Sequence, residues 1–217
     1  MQIIHSKRRT LTIEIDKNAN IIVRAPWRAS QKSITEFIKE KEKWILRTCQ
    51  YMQTKYANIK PKQYIHGEEF LYLGKYYPLI IHPNPKLPFH FTDFFELSEK
   101  YQRDAKQLFE NWYKKQAQNI IAERVSYYAS KTTLYYNRIC ITNAKKRWGS
   151  CNVNNDLSFA WRLVMAPLTS IDYVIVHELA HTLHKNHGKR FWNKVANVLP
   201  NFEAAQQWLY DNEHLLL

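Results

Sequence analysis

Glycine is scarce in this chain of 217 residues, with only 4. A phosphate-cradling loop or a dinucleotide fingerprint needs several glycines within one short span, so both are excluded. Cysteine is equally sparse: Cys49, Cys140 and Cys151 form no CxxC pair. A disulfide framework is therefore not expected, and a reducing compartment suits the chain. No apolar run approaches the roughly 18 residues a membrane span requires, and Met1 to Asp16 lacks the apolar core of a signal peptide. The expectation is a cytoplasmic protein with no membrane partner.

What the chain does have is aromatic and basic character. It holds 14 Tyr, 10 Phe and 7 Trp, and 45% of its residues are hydrophobic. That suffices for one good-sized domain or two small ones. Against 19 Asp+Glu stand 32 Lys+Arg, a formal charge of +13. Such a surplus suits an anionic partner, and it speaks to association, not to chemistry. The tightest basic groups are Lys7-Arg8-Arg9 and Lys145-Lys146-Arg147.

Periodicity divides the chain coarsely. Leu11, Ile13 and Ile15 alternate with polar residues, Asn18-Ala19-Asn20 is turn chemistry, and Ile21-Ile22-Val23 follows: a β-hairpin, closed by Pro26. Ser30 or Ser33 then caps one helix running to about Met52, with Ile34, Phe37, Ile38 and Ile45 in its apolar stripe. Tyr64 to Ile81 is β-rich, and His82 to Pro88, with three prolines, is expected to be a loop. The helical period returns from Ser98 to Ser130. Short strands are expected over 138–142 and 157–160. Thr169 with Asp172 resembles a capping box opening the next helix, and two shorter helices follow over 188–198 and 202–212, the last with Asn201 as its cap. The expected class is α+β, with a β-rich segment carrying one helix over 1–95. A helical metal-binding catalytic domain with a short β-sheet is expected over 96–217.

The chemistry lies in His177-Glu178-Leu179-Ala180-His181. Residues four apart share one helix face, so both imidazoles can reach one ion at about 2.0–2.1 Å. Glu178, turned by roughly 100°, is suited to touch a water and not the metal. The H-E-x-x-H pattern thus supplies two ligands and one general base. Ile171, Val174, Ile175, Leu179 and Leu183 make the helix mostly apolar, and polar groups embedded there are costly without partners. A catalytic zinc site takes a third protein ligand. His187 would have to be brought round by a turn after the helix, which Asn186 and Gly188 would permit. His184 competes, but three ligands along one helix face cannot surround an ion, so His187 is preferred.

Four segments carry a family resemblance: Lys146-Arg147-Trp148-Gly149-Ser150-Cys151, Trp161 to Pro167, Ile171 to His181, and Asn186-His187-Gly188-Lys189-Arg190-Phe191-Trp192. Together with Ser6 to Leu11 and Val23 to Pro26, they resemble the YgjP-like family of metal-dependent hydrolases, related to the SprT-like zinc metallopeptidases. The resemblance implies a zincin-like core and one zinc ion per chain held by His177, His181 and His187, with Glu178 as general base. Gly188 departs from the pattern, where serine is often found. Arg147 has two readings: it steadies a developing oxyanion, or its segment is a tight structural turn with Trp148 in the core. Cys151 is expected to be a small buried hydrophobe.

Three functions follow from these residues. The first is a zinc metallopeptidase acting on polypeptide, and the second a phosphohydrolase of the pyrophosphatase type acting on nucleotides at the same metal. The third is a DNA-associated protein with non-catalytic zinc, for which a fourth ligand would be needed. Nucleic-acid contact through a basic surface, with Lys145, Lys146 and Arg147 first among its residues, would suit a peptidase docked on nucleic acid, whereas a pure nucleotide hydrolase would show none.

Overall fold

The structure, a computed structural model, describes residues 1–57, 61–83 and 88–216. Of the loop expected from His82 to Pro88, residues 84–87 lie outside the described ones. The fold is α+β, with six α-helices and three small mixed sheets among the described residues. No helix is long and apolar enough to cross a membrane. The chain forms two compact units, Met1–Pro61 and Lys62–Leu217. The boundary expected at residue 95 falls inside the second.

In the first unit, β2 (Thr12–Ile15) and β3 (Ile21–Pro26) form the expected hairpin, with Ile13 opposite Val23. Its turn is closed by Asp16, whose Oδ1 accepts from the backbone N–H of Asn18 at 2.9 Å and of Asn20 at 2.8 Å. A strand that periodicity did not reveal, β1 (Gln2–Ser6), pairs parallel with β3, giving the order β1-β3-β2. Ser30 is the cap of α1 (Gln31–Glu40), its side chain accepting from Ser33 N–H at 3.2 Å. The single helix expected to Met52 is two helices, because Lys41 leaves helical dihedrals (φ −94°, ψ 5°) before α2 (Glu42–Tyr56) begins. Val23, Ala25 and Ile34 form the buried centre of this unit, ringed by Ile3, Leu11, Ile13, Ile21 and Ile38.

The second unit opens with β4 (Glu69–Tyr72), β5 (Lys75–His82), β6 (Phe89–Phe91) and β7 (Phe95–Ser98), in the order β4-β5-β7-β6. One face of this sheet is aromatic. Phe70 and Phe95 meet Phe109 of the long α3 (Ala105–Thr132) with ring centroids 4.1 and 4.9 Å apart. That packing is why strands 69–98 belong with the C-terminal helices and not with the N-terminal hairpin. Next come β8 (Ile139–Thr142), β9 (Gly149–Cys151) and β10 (Leu157–Ala160), ordered β8-β10-β9. β8 and β10 are parallel, and the unforeseen β9 runs antiparallel to β10.

The helix α4 (Leu168–Leu183) runs through the core, with buried residues on every side, as an apolar helix must. Its start is not the expected capping box. The cap position is Pro167, with no side-chain cap bond. Asp172 instead faces α3, where the Arg124 guanidinium donates to both carboxylate oxygens at 2.6 Å. A buried carboxylate is better served by that fork than by a backbone N–H already near its own carbonyls. The start of α4 is fixed further by the β4–β5 turn. Leu73 and Gly74 both have positive φ, their N–H groups donate to Val164 and Met165 carbonyls at 2.9 Å, and a Cβ on Gly74 would lie 2.7 Å from Pro167 Cγ. The chain then continues through α5 (Lys189–Val198) and α6 (Phe202–Asn212); Asn201 precedes α6 but makes no side-chain cap bond.

Two substitutions probe this anchoring. Arg124→Met strands the buried Asp172 and should cost up to about 3 kcal/mol, the low end for stripping one partner from a buried pair. Gly74→Ala should cost more than about 1 kcal/mol, since both its φ and its contact with Pro167 reject a side chain. Urea unfolding of the full chain measures both, and unchanged midpoints would show that α4 is held elsewhere.

Candidate metal centre

His177, Glu178 and His181 lie on the last two turns of α4. The helix stops at Leu183 because His184 is extended (φ −126°, ψ 99°), its N–H closing the last turn onto Ala180 O at 2.9 Å. Gly188 (φ −75°, ψ 178°) leads into α5. The chain bends at Lys185, Asn186 and Gly188, with Gly188 N–H donating to Asn186 O at 2.9 Å, and it does so without a left-handed residue. Lys185 ties this turn to the β9–β10 loop, its Nζ donating to Asn152 O at 2.9 Å and to Asn155 Oδ1 at 2.6 Å.

The turn carries the His187 ring back to the other two. Its Nε2 lies 3.0 Å from His181 Nε2 and 3.0 Å from His177 Nε2. The three donor atoms lie within 4.8 Å of one another, and no other such group of His, Cys, Asp or Glu occurs among the described residues. His184 contributes its carbonyl and not its imidazole: His181 Nδ1 lies 3.0 Å from His184 O. Because a carbonyl only accepts, that nitrogen carries the proton, and the neutral ring presents its Nε2 lone pair inward. Phe191 and Trp192 of α5 wall the rings in, Phe191 at 4.5 Å from His181 and Trp192 stacked on His187 at 5.8 Å.

The electrostatics suit a cation. Burial, then the neighbouring His181 and His187, push the His177 imidazole down to about 4. Burial likewise lowers His181. Both rings are thus neutral at physiological pH, the form that binds metal. His187 Nε2 lies 3.0 Å from both partners and carries at most one proton, so it cannot satisfy both, whereas one cation would satisfy all three. The donor set, all imidazole, suits zinc.

Glu178 is 6% exposed. Burial pushes its carboxyl up to about 7, and the Arg147 charge opposes that rise. The side chain lies on the bare backbone of β9: a Cβ on Gly149 would stand 2.6 Å from Glu178 Cγ and 2.7 Å from Oε1. Beside them opens a cleft of about 320 Å³, walled by Trp148 and Gly149, by Tyr173 and His177 of α4, and by Gln206 and Tyr210 of α6. The α6 wall had no signature in the sequence beyond two residues four apart. Trp148 is half-buried, packed against the core and exposed to the cleft, and Arg147 is exposed. Ser150 pairs across the sheet with Ser158. Cys151 is half-buried rather than fully buried, 3.7 Å from Lys185 Nζ, and takes no part in the histidine cluster.

A family model described as YgjP-like, metallopeptidase domain, matches residues 9–212. No curated protein and no solved structure matches the chain.

The glycines near this centre differ in what they allow. Gly149→Ala should cost about 1–3 kcal/mol, as overpacking does, because Glu178 cannot retreat from a buried position. Gly188→Ala meets open space at an ordinary φ and should stay within about 0.5 kcal/mol of the parent. Thermal melting of both variants decides it, and equal midpoints would show that Glu178 does not depend on a bare strand.

Proposed function

The chain belongs to the YgjP-like family, whose domain is a metallopeptidase domain, and from that metal-dependent, peptidase-type premise we propose a zinc peptidase. One zinc ion per chain is held by His177, His181 and His187, and Glu178 is the general base. The helix α4 and the returning turn form a zincin-like core. The observation that carries this reading is the meeting of three Nε2 atoms beside a buried carboxylate on the same helix.

Bound zinc would supply Lewis acidity, polarising a carbonyl and bringing the pKa of a water toward neutrality. The chain's own residues do the rest. Glu178, fixed against Gly149, takes a proton from the attacking water and passes it to the departing amine nitrogen. Its raised pKa suits both halves of that exchange. Phe191 and Trp192 pack against the imidazoles and hold their orientation, while His187 stays open to solvent. Arg147 is assigned to the charge that develops on the substrate carbonyl oxygen, and its electrostatic reach to Glu178 supports a place near the reacting atoms. The cleft offers polypeptide an aromatic wall of Trp148, Tyr173 and Tyr210.

The cleft does not favour a nucleotide. Its lining includes Glu178 and Glu213 and no Lys or Arg, and Arg147 alone, beside Trp148, is fewer cations than a polyphosphate would need. Nor does a closed structural zinc site fit, since only three donors converge among the described residues.

Metal analysis of purified variants tests the ligand set: His187→Ala should lose zinc and His184→Ala should keep it. The reverse pattern would overturn the assignment. Glu178→Gln should keep its zinc and lose roughly 10²–10⁴-fold of the hydrolysis of an unfolded protein, the usual worth of a general base. Near-parental turnover by that variant would remove Glu178 from the reaction.

A further inference from the structure

The basic surplus is not spread evenly. Thirteen of the basic residues and five of the acidic ones lie in Met1–Pro61, so this unit carries +8 of the chain's +13 in well under a third of its length. Within the unit the fold concentrates charge further. β1 and β3 are parallel and end together, Ser6 opposite Pro26. The order β1-β3-β2 obliges the connection from β1 to β2 to cross the end of the central strand β3. That connection is Lys7-Arg8-Arg9-Thr10-Leu11, and the chain leaving β3 beneath it is Trp27-Arg28, followed by Lys32 at the start of α1. Five cations thus gather at one end of one small sheet, and neither 5–11 nor 26–33 contains an acidic residue. Among the described residues none of the five makes an ion pair.

An aromatic platform lies among these charges. Trp27 is 71% exposed, and its ring is stacked against His5 at 6.1 Å and 20°. His5 is itself held by Pro26 O at 3.2 Å. A flat indole displayed to solvent at the same end of the sheet as five cations matches the chemistry of an unpaired base with its phosphates. A membrane surface is less well matched. Insertion needs an apolar helix face, whereas Ile34 of α1 is buried and Phe37 and Ile38 are half-buried, with Ile34 and Ile38 in the unit's own core.

We propose that this end of the N-terminal sheet binds single-stranded nucleic acid, with Trp27 stacking a base and Lys7, Arg8, Arg9, Arg28 and Lys32 contacting phosphates. The surface belongs to Met1–Pro61, and its binding needs neither metal nor Glu178.

Fluorescence anisotropy of a labelled oligo(dT) or oligo(U) with the full-length protein tests it. Binding is expected at low salt and should weaken as salt rises, with a slope near 0.7 per phosphate contact on logarithmic axes. Trp27→Ala should weaken it about tenfold, and Trp27→Phe should restore most of that loss. Arg8→Ala with Arg9→Ala should flatten the salt dependence. Glu178→Gln should bind as the parent does, so failure of the peptidase reading leaves this result untouched. The proposal is overturned if the oligonucleotide does not bind, or if binding is indifferent to Trp27 and depends instead on Lys145 and Lys146. It is also overturned if vesicles of anionic phospholipid bind in a Trp27-dependent way while the oligonucleotide does not.

Discussion

Glu178 rests on the bare backbone of Gly149, and that contact sets how closely α4 approaches the small sheet β8-β10-β9. A carboxylate taken from water is costly unless its site compensates it, so α4 has to be held firmly. The bidentate Arg124–Asp172 pair fixes it against α3, and the Leu73-Gly74 turn fixes the segment before it. On the far side, Phe191 packs against His177 and His181. The helix is thereby placed so that His177 and Glu178 open into the cleft. Strand β9 is short because its task is local: it supplies the floor for Glu178 and the Trp148 wall.

Burial acts on the two kinds of titrating side chain in opposite directions, and both outcomes serve the same chemistry. It keeps His177 and His181 neutral, the state in which an imidazole donates a lone pair. It lifts the Glu178 carboxyl toward neutrality, where a base can also return its proton. Meanwhile the positive surplus lies largely in the N-terminal unit and not around the cleft, whose lining residues include Glu178 and Glu213. The net charge of the chain therefore says little about what the cleft accepts.

Much of this was legible where the signal is local. Alternation in Leu11 to Ile15 and the Asn18-Ala19-Asn20 turn marked the hairpin, and the four-residue spacing of His177 and His181 put two imidazoles on one face. Tertiary arrangements were not legible. β1 and β9 exist through pairing with strands elsewhere in the chain, and Gly149 looks ordinary until Glu178 is laid across it. Asp172 looked like a helix cap because Arg124, 48 residues earlier, has no local signature. The turn after α4 was expected at Asn186 and Gly188, and the chain does bend there, but only after His184 has ended the helix by adopting an extended backbone. Gln206 and Tyr210 look like a solvated helix face until α6 packs beside α4 and closes the cleft.

The central claim is that three imidazoles and no other side chain of this protein hold one zinc ion. X-ray absorption of the zinc-loaded protein tests it most directly, because nitrogen and sulfur ligands are resolved by distance. The expected spectrum is a four-coordinate shell of nitrogen and oxygen at about 2.0–2.1 Å, with the multiple-scattering signature of three imidazoles. A sulfur shell near 2.3 Å would place a cysteine thiolate on the metal. That result would contradict the all-imidazole donor set, and Cys151, at the edge of the site, would be the first residue to suspect.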